Sequence, residues 1–155
     1  MKEEIEDALR SIIEQPLTDM WRYGGMQKFE FGEQRSHTNR RGEQVTRADL
    51  GLVVSCNWQI TSKTGTIISQ EDFVNDKEPR PSRVTSMLHE LLSAKPTVIN
   101  VLADNSGAVR LNLSGGYYLE LSPDSTDSER DELWRFMPSK ESEPHFVVTA
   151  SGIEV

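Results

Sequence analysis

The chain has 155 residues, 35% of them hydrophobic and 27% charged, which suits one domain (1–155) and excludes a disordered chain. A net charge of −8 argues against a general nucleic-acid or membrane-surface binder, because a polyanion repels the molecule as a whole. Cys56 is the only cysteine, the start MKEEIEDALR is acidic, and no apolar run reaches membrane-spanning length, so a reducing, cytoplasmic location is expected.

Ile5, Leu9, Ile12 and Ile13 follow the spacing of one helical face, with acids in the first turn, and Pro16 stops the helix expected over 3–14. Phe29 and Phe31 alternate with Lys28 and Glu30 as in a half-buried strand over 26–31. The polar stretch from Arg35 to Gly42 reads as a long hairpin loop. Residues 50–61 carry the clearest strand pattern, with Leu50, Leu52, Val54, Cys56, Trp58 and Ile60 on one face. A turn at Lys63-Thr64-Gly65 leads to a short strand with Ile67 and Ile68.

The proline-bearing segment 75–81 is the best candidate for a boundary between halves. A second amphipathic helix is predicted over 82–94, capped by Ser82, with Val84, Met87, Leu88, Leu91 and Leu92 on one face. A meander comes next, with strands over 97–103, 108–113 and 117–121 and one wet face. Thr126 and Glu129 form a capping-box pattern for a helical turn running toward Trp134. A last strand is expected over 145–150, after which the tail frays. The fold class expected is α+β: mostly antiparallel sheet with two amphipathic helices. The element order also suggests an αββββ duplication, with halves 1–75 and 82–150, matching the Phe29 strand to Val109–Leu113 and Trp58-Gln59-Ile60 to Trp134-Arg135-Phe136.

Charge is unevenly spread. Residues 35–48 hold four Arg against one Glu, a net +3, while residues 120–132 hold six acids against one Arg, a net −5. His37, His89 and His145 are far apart and form no metalloprotease motif; Cys56 lies on an apolar strand face, where thiols are inert. Asp124, Asp127 and Glu129 have carboxylate spacings that could take a hard cation, yet the EF-hand glycine and glutamate are missing, which favours a solvated, helix-capping loop. Neither a phosphate loop nor a nucleophile elbow occurs, and Arg40-Arg41 alone would give weak phosphate binding. Trp134-Arg135 beside the acidic loop reads equally as core anchor or as interface, since both residue types are enriched at binding hot spots.

Leu113-Ser-Gly-Gly-Tyr-Tyr-Leu-Glu-Leu-Ser-Pro-Asp124, Glu132-Leu-Trp-Arg-Phe136 and His145-Phe-Val-Val-Thr149 resemble a family of small uncharacterised bacterial proteins. Pro16-Leu17-Thr18, Trp21-Arg22, Phe29-x-Phe31-Gly32 and Cys56-Asn57-Trp58 extend the resemblance, though this chain has Trp58-Gln59 where that family more often shows Trp-Arg. The resemblance implies no activity. The expectation is a protein-binding module, most sharply an immunity-type toxin inhibitor, meeting a basic partner through Asp124, Asp127, Glu129, Asp131, Trp134 and Arg135. A domain binding small molecules or ions on the wet sheet face is the alternative. Catalysis is disfavoured, no cofactor is called for, nucleic acid and membrane are not expected partners, and no motif speaks to oligomeric state.

Overall fold

The computed structural model describes residues 1–73, 82–124, 127, 132–138 and 143–154. Among these are thirteen strands and two short α-helices, α1 (Lys2–Ala8) and α2 (Ser82–Ala94). The expected α+β class is therefore corrected to a β-rich fold. The first helix is half its expected length, because α1 gives way after Ala8 to a 3-10 turn over Leu9–Ile12. Ile5, Leu9 and Ile12 are nonetheless fully buried, so the apolar spacing found the right face.

Two antiparallel sheets carry the fold. The first runs in the order β1 (Leu17–Tyr23), β2 (Met26–Phe31), β5 (Leu50–Val54), β11 (Trp134–Met137), β12 (Phe146–Thr149), β13 (Gly152–Glu154). The second runs β8 (Val98–Ala103), β9 (Val109–Leu113), β10 (Tyr117–Ser122), β6 (Asn57–Ser62), β7 (Gly65–Ser69). A separate ribbon pairs β3 (Arg35–Thr38) with β4 (Gln44–Arg47), where a loop was expected. One hydrophobic cluster draws inward-facing residues from both sheets, and Phe29 of the first meets Trp58 of the second edge to face at 5.0 Å. No described helix is long and apolar enough to cross a membrane.

Several expected boundaries shift for physical reasons. The single strand expected over 50–61 is two strands in different sheets: the N–H groups of Ser55 and Cys56 both turn to the Leu133 carbonyl, at 2.9 and 3.2 Å, and so leave the ladder. Alternation survives the crossing because both sheets face the same core. Strand β1 carries no clear sequence signal because a bulge between Leu17 and Asp19 puts its buried residues Leu17 and Met20 at a helix-like spacing. Trp134 opens a strand rather than ending a helical turn; Thr126 and Glu129, like the boundary segment 75–81, lie outside the described residues. The tail does not fray: β13 pairs with β12, Ile153 opposite Val148.

The expected four-strand repeat is corrected with the class. What the sheets share is a five-strand order, β1-β2-β5-β11-β12 against β8-β9-β10-β6-β7; within it each half contributes three strands to one sheet and two to the other, and β13 is added at the edge of the first. The register repeats in detail. Phe29 stands opposite Leu52 as Leu111 stands opposite Leu119, and the bulge at Leu17/Asp19 recurs at Val98/Asn100. Leu17 N donates to the Pro96 carbonyl at 2.9 Å and Val98 N to the Gln15 carbonyl at 3.0 Å, a reciprocal pair where the halves meet. The connections of the two sheets differ most after the second strand. Residues 32–49 join β2 to β5 and contain the ribbon, whereas Ser114-Gly115-Gly116 alone joins β9 to β10.

Candidate functional site

Of the residues expected to form a partner site, Asp124 and Asp127 meet, whereas Trp134 and Arg135 part to opposite faces of one strand. Asp124 is exposed beyond β10; its carboxylate accepts the Asn57 amide at 2.7 Å, and its N–H donates to the Asp127 carboxylate at 2.9 Å. Glu129 and Asp131 lie outside the described residues. Trp134 has no exposed surface: its Nε1–H donates to the Gly107 carbonyl at 2.9 Å and its ring tilts against Phe146, which makes it a core anchor. Arg135 projects to the other face of β11, as the two-residue period of a strand requires. There its Nε donates to the Glu132 carboxylate at 2.9 and 3.0 Å and a terminal nitrogen lies 3.1 Å from His145 Nδ1. The Glu132 carboxylate raises the pKa of the guanidinium still further. A joint Trp134–Arg135 hot spot is thus geometrically excluded.

Cys56, weighed as a nucleophile, is buried in the core. Burial, and then the Asp127 carboxylate, push the Cys56 thiol up to about 12, so it is no nucleophile near neutrality. Among the described residues no group of three or more His, Cys, Asp or Glu is placed to hold a metal ion.

Arg47 and Ala48, at the base of the ribbon, cover part of the outer face of the first sheet. Glu30, with no exposed surface, accepts the Ala48 N–H at 2.7 Å and the Trp21 Nε1–H. The Arg47 guanidinium lies over the Trp21 ring at 4.8 Å, and Lys28 Nζ lies 5.2 Å from the same ring. Gly51 makes room for this arrangement: a Cβ there would stand 3.0 Å from Lys28 Cε. Asp49 holds the base of the ribbon, 3.6 Å from Arg35 and 3.7 Å from His37.

Among the described residues the matching face of the second sheet has no such cover. Cross-strand register sets two rows on it: Leu102, Arg110, Glu120, Gln59, Ser69, and beside them Asn100, Asn112, Tyr118, Thr61, Thr66. Arg110 stacks over the Tyr118 ring at 4.0 Å, and Thr61 Oγ1 donates to Glu120 at 3.3 Å. Leu102 is 51% exposed and Ile99, at the β8 bulge, 57% exposed. Shallow clefts of about 230 and 330 Å³ lie on this side, one along Leu102, Arg110 and Glu120, the other along Gln59, Thr66 and Glu71. Asp104, Glu71 and Asp124 border the face with exposed acids. The Ser106 hydroxyl, helped by the backbone N–H groups of Ser106 and Ala108, holds the Asp104 carboxyl below its ordinary range, so Asp104 stays charged.

Sequence reasoning found the wet alternation of Arg110 and Asn112 but missed Ile99 and Leu102. Only the bulge, which breaks alternation in β8, sends those two side chains outward. No protein-family model, curated protein or solved structure matches the chain, so any functional reading rests on this geometry.

Proposed function

We propose that the chain is a protein-binding module that holds a basic partner against the uncovered face of its second sheet and the acidic border beside it. The observation that carries this is Leu102 and Ile99: these are the large hydrophobics exposed among the described residues, and they flank the Arg110–Tyr118 stack. Tyr and Arg framed by apolar surface are the residues that dominate binding energy at protein interfaces. The border of Asp104, Glu71 and Asp124, on a molecule of net charge −8, supplies complementarity to a cationic surface and a fast, salt-sensitive approach. An immunity-type inhibitor that blocks the cationic site of a toxin is the sharpest form of this reading.

The test is to express the proteins encoded beside its gene and titrate each against the chain by calorimetry. One of them should bind the wild type, bind the double variant Glu120→Gln/Asp124→Asn at least tenfold more weakly, and weaken further between 50 and 200 mM salt, as expected for a steered charge contact. Equal affinity of wild type and variant at both salt concentrations would overturn the reading. If the partner is toxic to cells, co-expression of the chain should relieve the toxicity.

A further inference from the structure

A cleft of about 290 Å³ opens where the β6–β7 turn, helix α2 and the β9–β10 turn meet, and it shares no lining residue with the uncovered sheet face. Ile67 on β7, Met87 on α2 and Tyr117 on β10 are half-buried: they pack against the core cluster and also line the cleft. Two exposed charges line it with them, Lys63 from the β6–β7 turn and Glu90 from α2. Glu90 lies three residues beyond Met87, so the two share one side of the helix. Lys63 and Glu90 make no hydrogen bond or ion pair with each other or with any other described residue. Two glycines shape the wall beside Lys63. Gly115 and Gly116 both have φ of +82°, a conformation glycine adopts at no steric cost. A Cβ at Gly115 would stand 3.3 Å from the Tyr117 ring, and one at Gly116 would stand 3.6 Å from the Lys63 stem. The turn thus lays the ring and the stem against bare backbone. The Ser62 and Thr64 hydroxyls, 2.9 Å apart, bond across the turn that carries Lys63.

We propose that this cleft binds a small zwitterion with an apolar body, the chemistry of a free α-amino acid whose side chain is aliphatic or aromatic. The ligand carboxylate pairs with Lys63, its ammonium pairs with Glu90, and its side chain covers Ile67, Met87 and Tyr117. Small-molecule sites are mostly apolar, with a few convergent polar groups that fix orientation, and this cleft supplies one group of each sign. A lone anion or cation would match only one of the two charges, and an apolar ligand would match neither. The volume lies at the lower end of ligand-sized clefts, which suits a molecule of about a dozen heavy atoms. Such a ligand binds with a dissociation constant in the millimolar range. Both charges are exposed, so each contributes roughly a two- to fivefold gain in affinity. The site is independent of the basic-partner reading.

The experiment titrates the full chain, isotopically labelled, with phenylalanine and follows it by nuclear magnetic resonance. Two further probes each lack one charge: 3-phenylpropionate has no ammonium and 2-phenylethylamine has no carboxylate. Phenylalanine should give saturable shifts at Lys63, Ile67, Met87, Glu90, Gly116 and Tyr117, and each truncated probe should bind more weakly by roughly two- to fivefold. Lys63→Gln should weaken phenylalanine and 3-phenylpropionate but leave 2-phenylethylamine unchanged. Glu90→Gln should weaken phenylalanine and 2-phenylethylamine but leave 3-phenylpropionate unchanged. Both side chains are exposed and unpaired, so neither variant should shift the melting temperature, which separates lost binding from lost folding. Three results would overturn the proposal: no saturation up to about 20 mM phenylalanine, shifts confined to other parts of the chain, or equal binding of all three probes by the wild type and both variants. The last of these would reduce the cleft to an apolar surface that does not read the zwitterion.

Discussion

The Glu30 carboxylate, which has no exposed surface, receives the backbone N–H of Ala48 at 2.7 Å, and this bond helps tie an otherwise separate ribbon to the first sheet. It links a residue on β2 to one beyond β4, beside the Arg47–Trp21 stack, while Gln34 at the ribbon's other end donates to Thr18 of β1.

Glu30→Gln keeps the shape and removes the charge. A hydrogen bond to a charged group contributes about 1.5–3 kcal/mol, so the variant should lose about 2 kcal/mol of stability in urea titrations. Amide exchange at Ala48 should accelerate while exchange in the second sheet scales only with the global change. Unchanged protection at Ala48 would sink the tie.

Trp134→Phe removes the Nε1–H that satisfies the Gly107 carbonyl and leaves that buried oxygen bare. A loss of about 1–3 kcal/mol is expected from the denaturation midpoint. Partner affinity, measured where the variant is fully folded, should not change, since Trp134 has no exposed surface. A tenfold loss of affinity there would return Trp134 to the interface.

Asp19 lies among Glu30, Lys28 and Arg47, and burial, outweighing the bond from Met20 N–H, raises its carboxyl above the ordinary 3.8. A group whose pKa is raised on folding contributes stability that is fully present below its unfolded value and is lost as pH rises through the folded one. Asp19→Asn should therefore raise the melting temperature at pH 7, with the gain fading as pH falls toward 3.8. A gain that grows toward acid pH would contradict this sign.

Cys56 gives a matching test at the alkaline end. Its folded thiol sits near 12 against an ordinary 9.0, so the unfolded chain loses the proton first and stability falls between those values as pH rises. The wild type should lose more stability than Cys56→Ala over that window. Native protein should also resist thiol reagents at pH 8 and react at once in denaturant; rapid native labelling would refute the buried thiol.

How much of the fold is legible in the sequence depends on the range of each signal. Helix α2 is legible because Val84, Leu88, Leu91 and Leu92 repeat at helical spacing within one uninterrupted element. The second-half meander is legible because its tight turns at Asp104–Gly107 and Ser114–Gly116 carry their own chemistry. By contrast β1 is hidden by its bulge, and the passage from β5 to β6 by an alternation that two sheets share. The candidate site divides in the same way: Asp124 is exposed as its composition suggests, while Trp134 and Arg135, adjacent in sequence, part to opposite faces.

The sequence by itself determined local matters: which residues are apolar at which period, where turns fall, how charge is segregated, and that Cys56 has no partner cysteine. Only the tertiary structure decided which strands share a sheet, because a long-range pairing such as Val54 opposite Trp134 is encoded in no local pattern. It also decided that Arg47 and Ala48 cap part of one sheet face while no described residue does so on its counterpart. That outcome turns on where the 32–49 insertion lands, and a loop's composition does not state its destination.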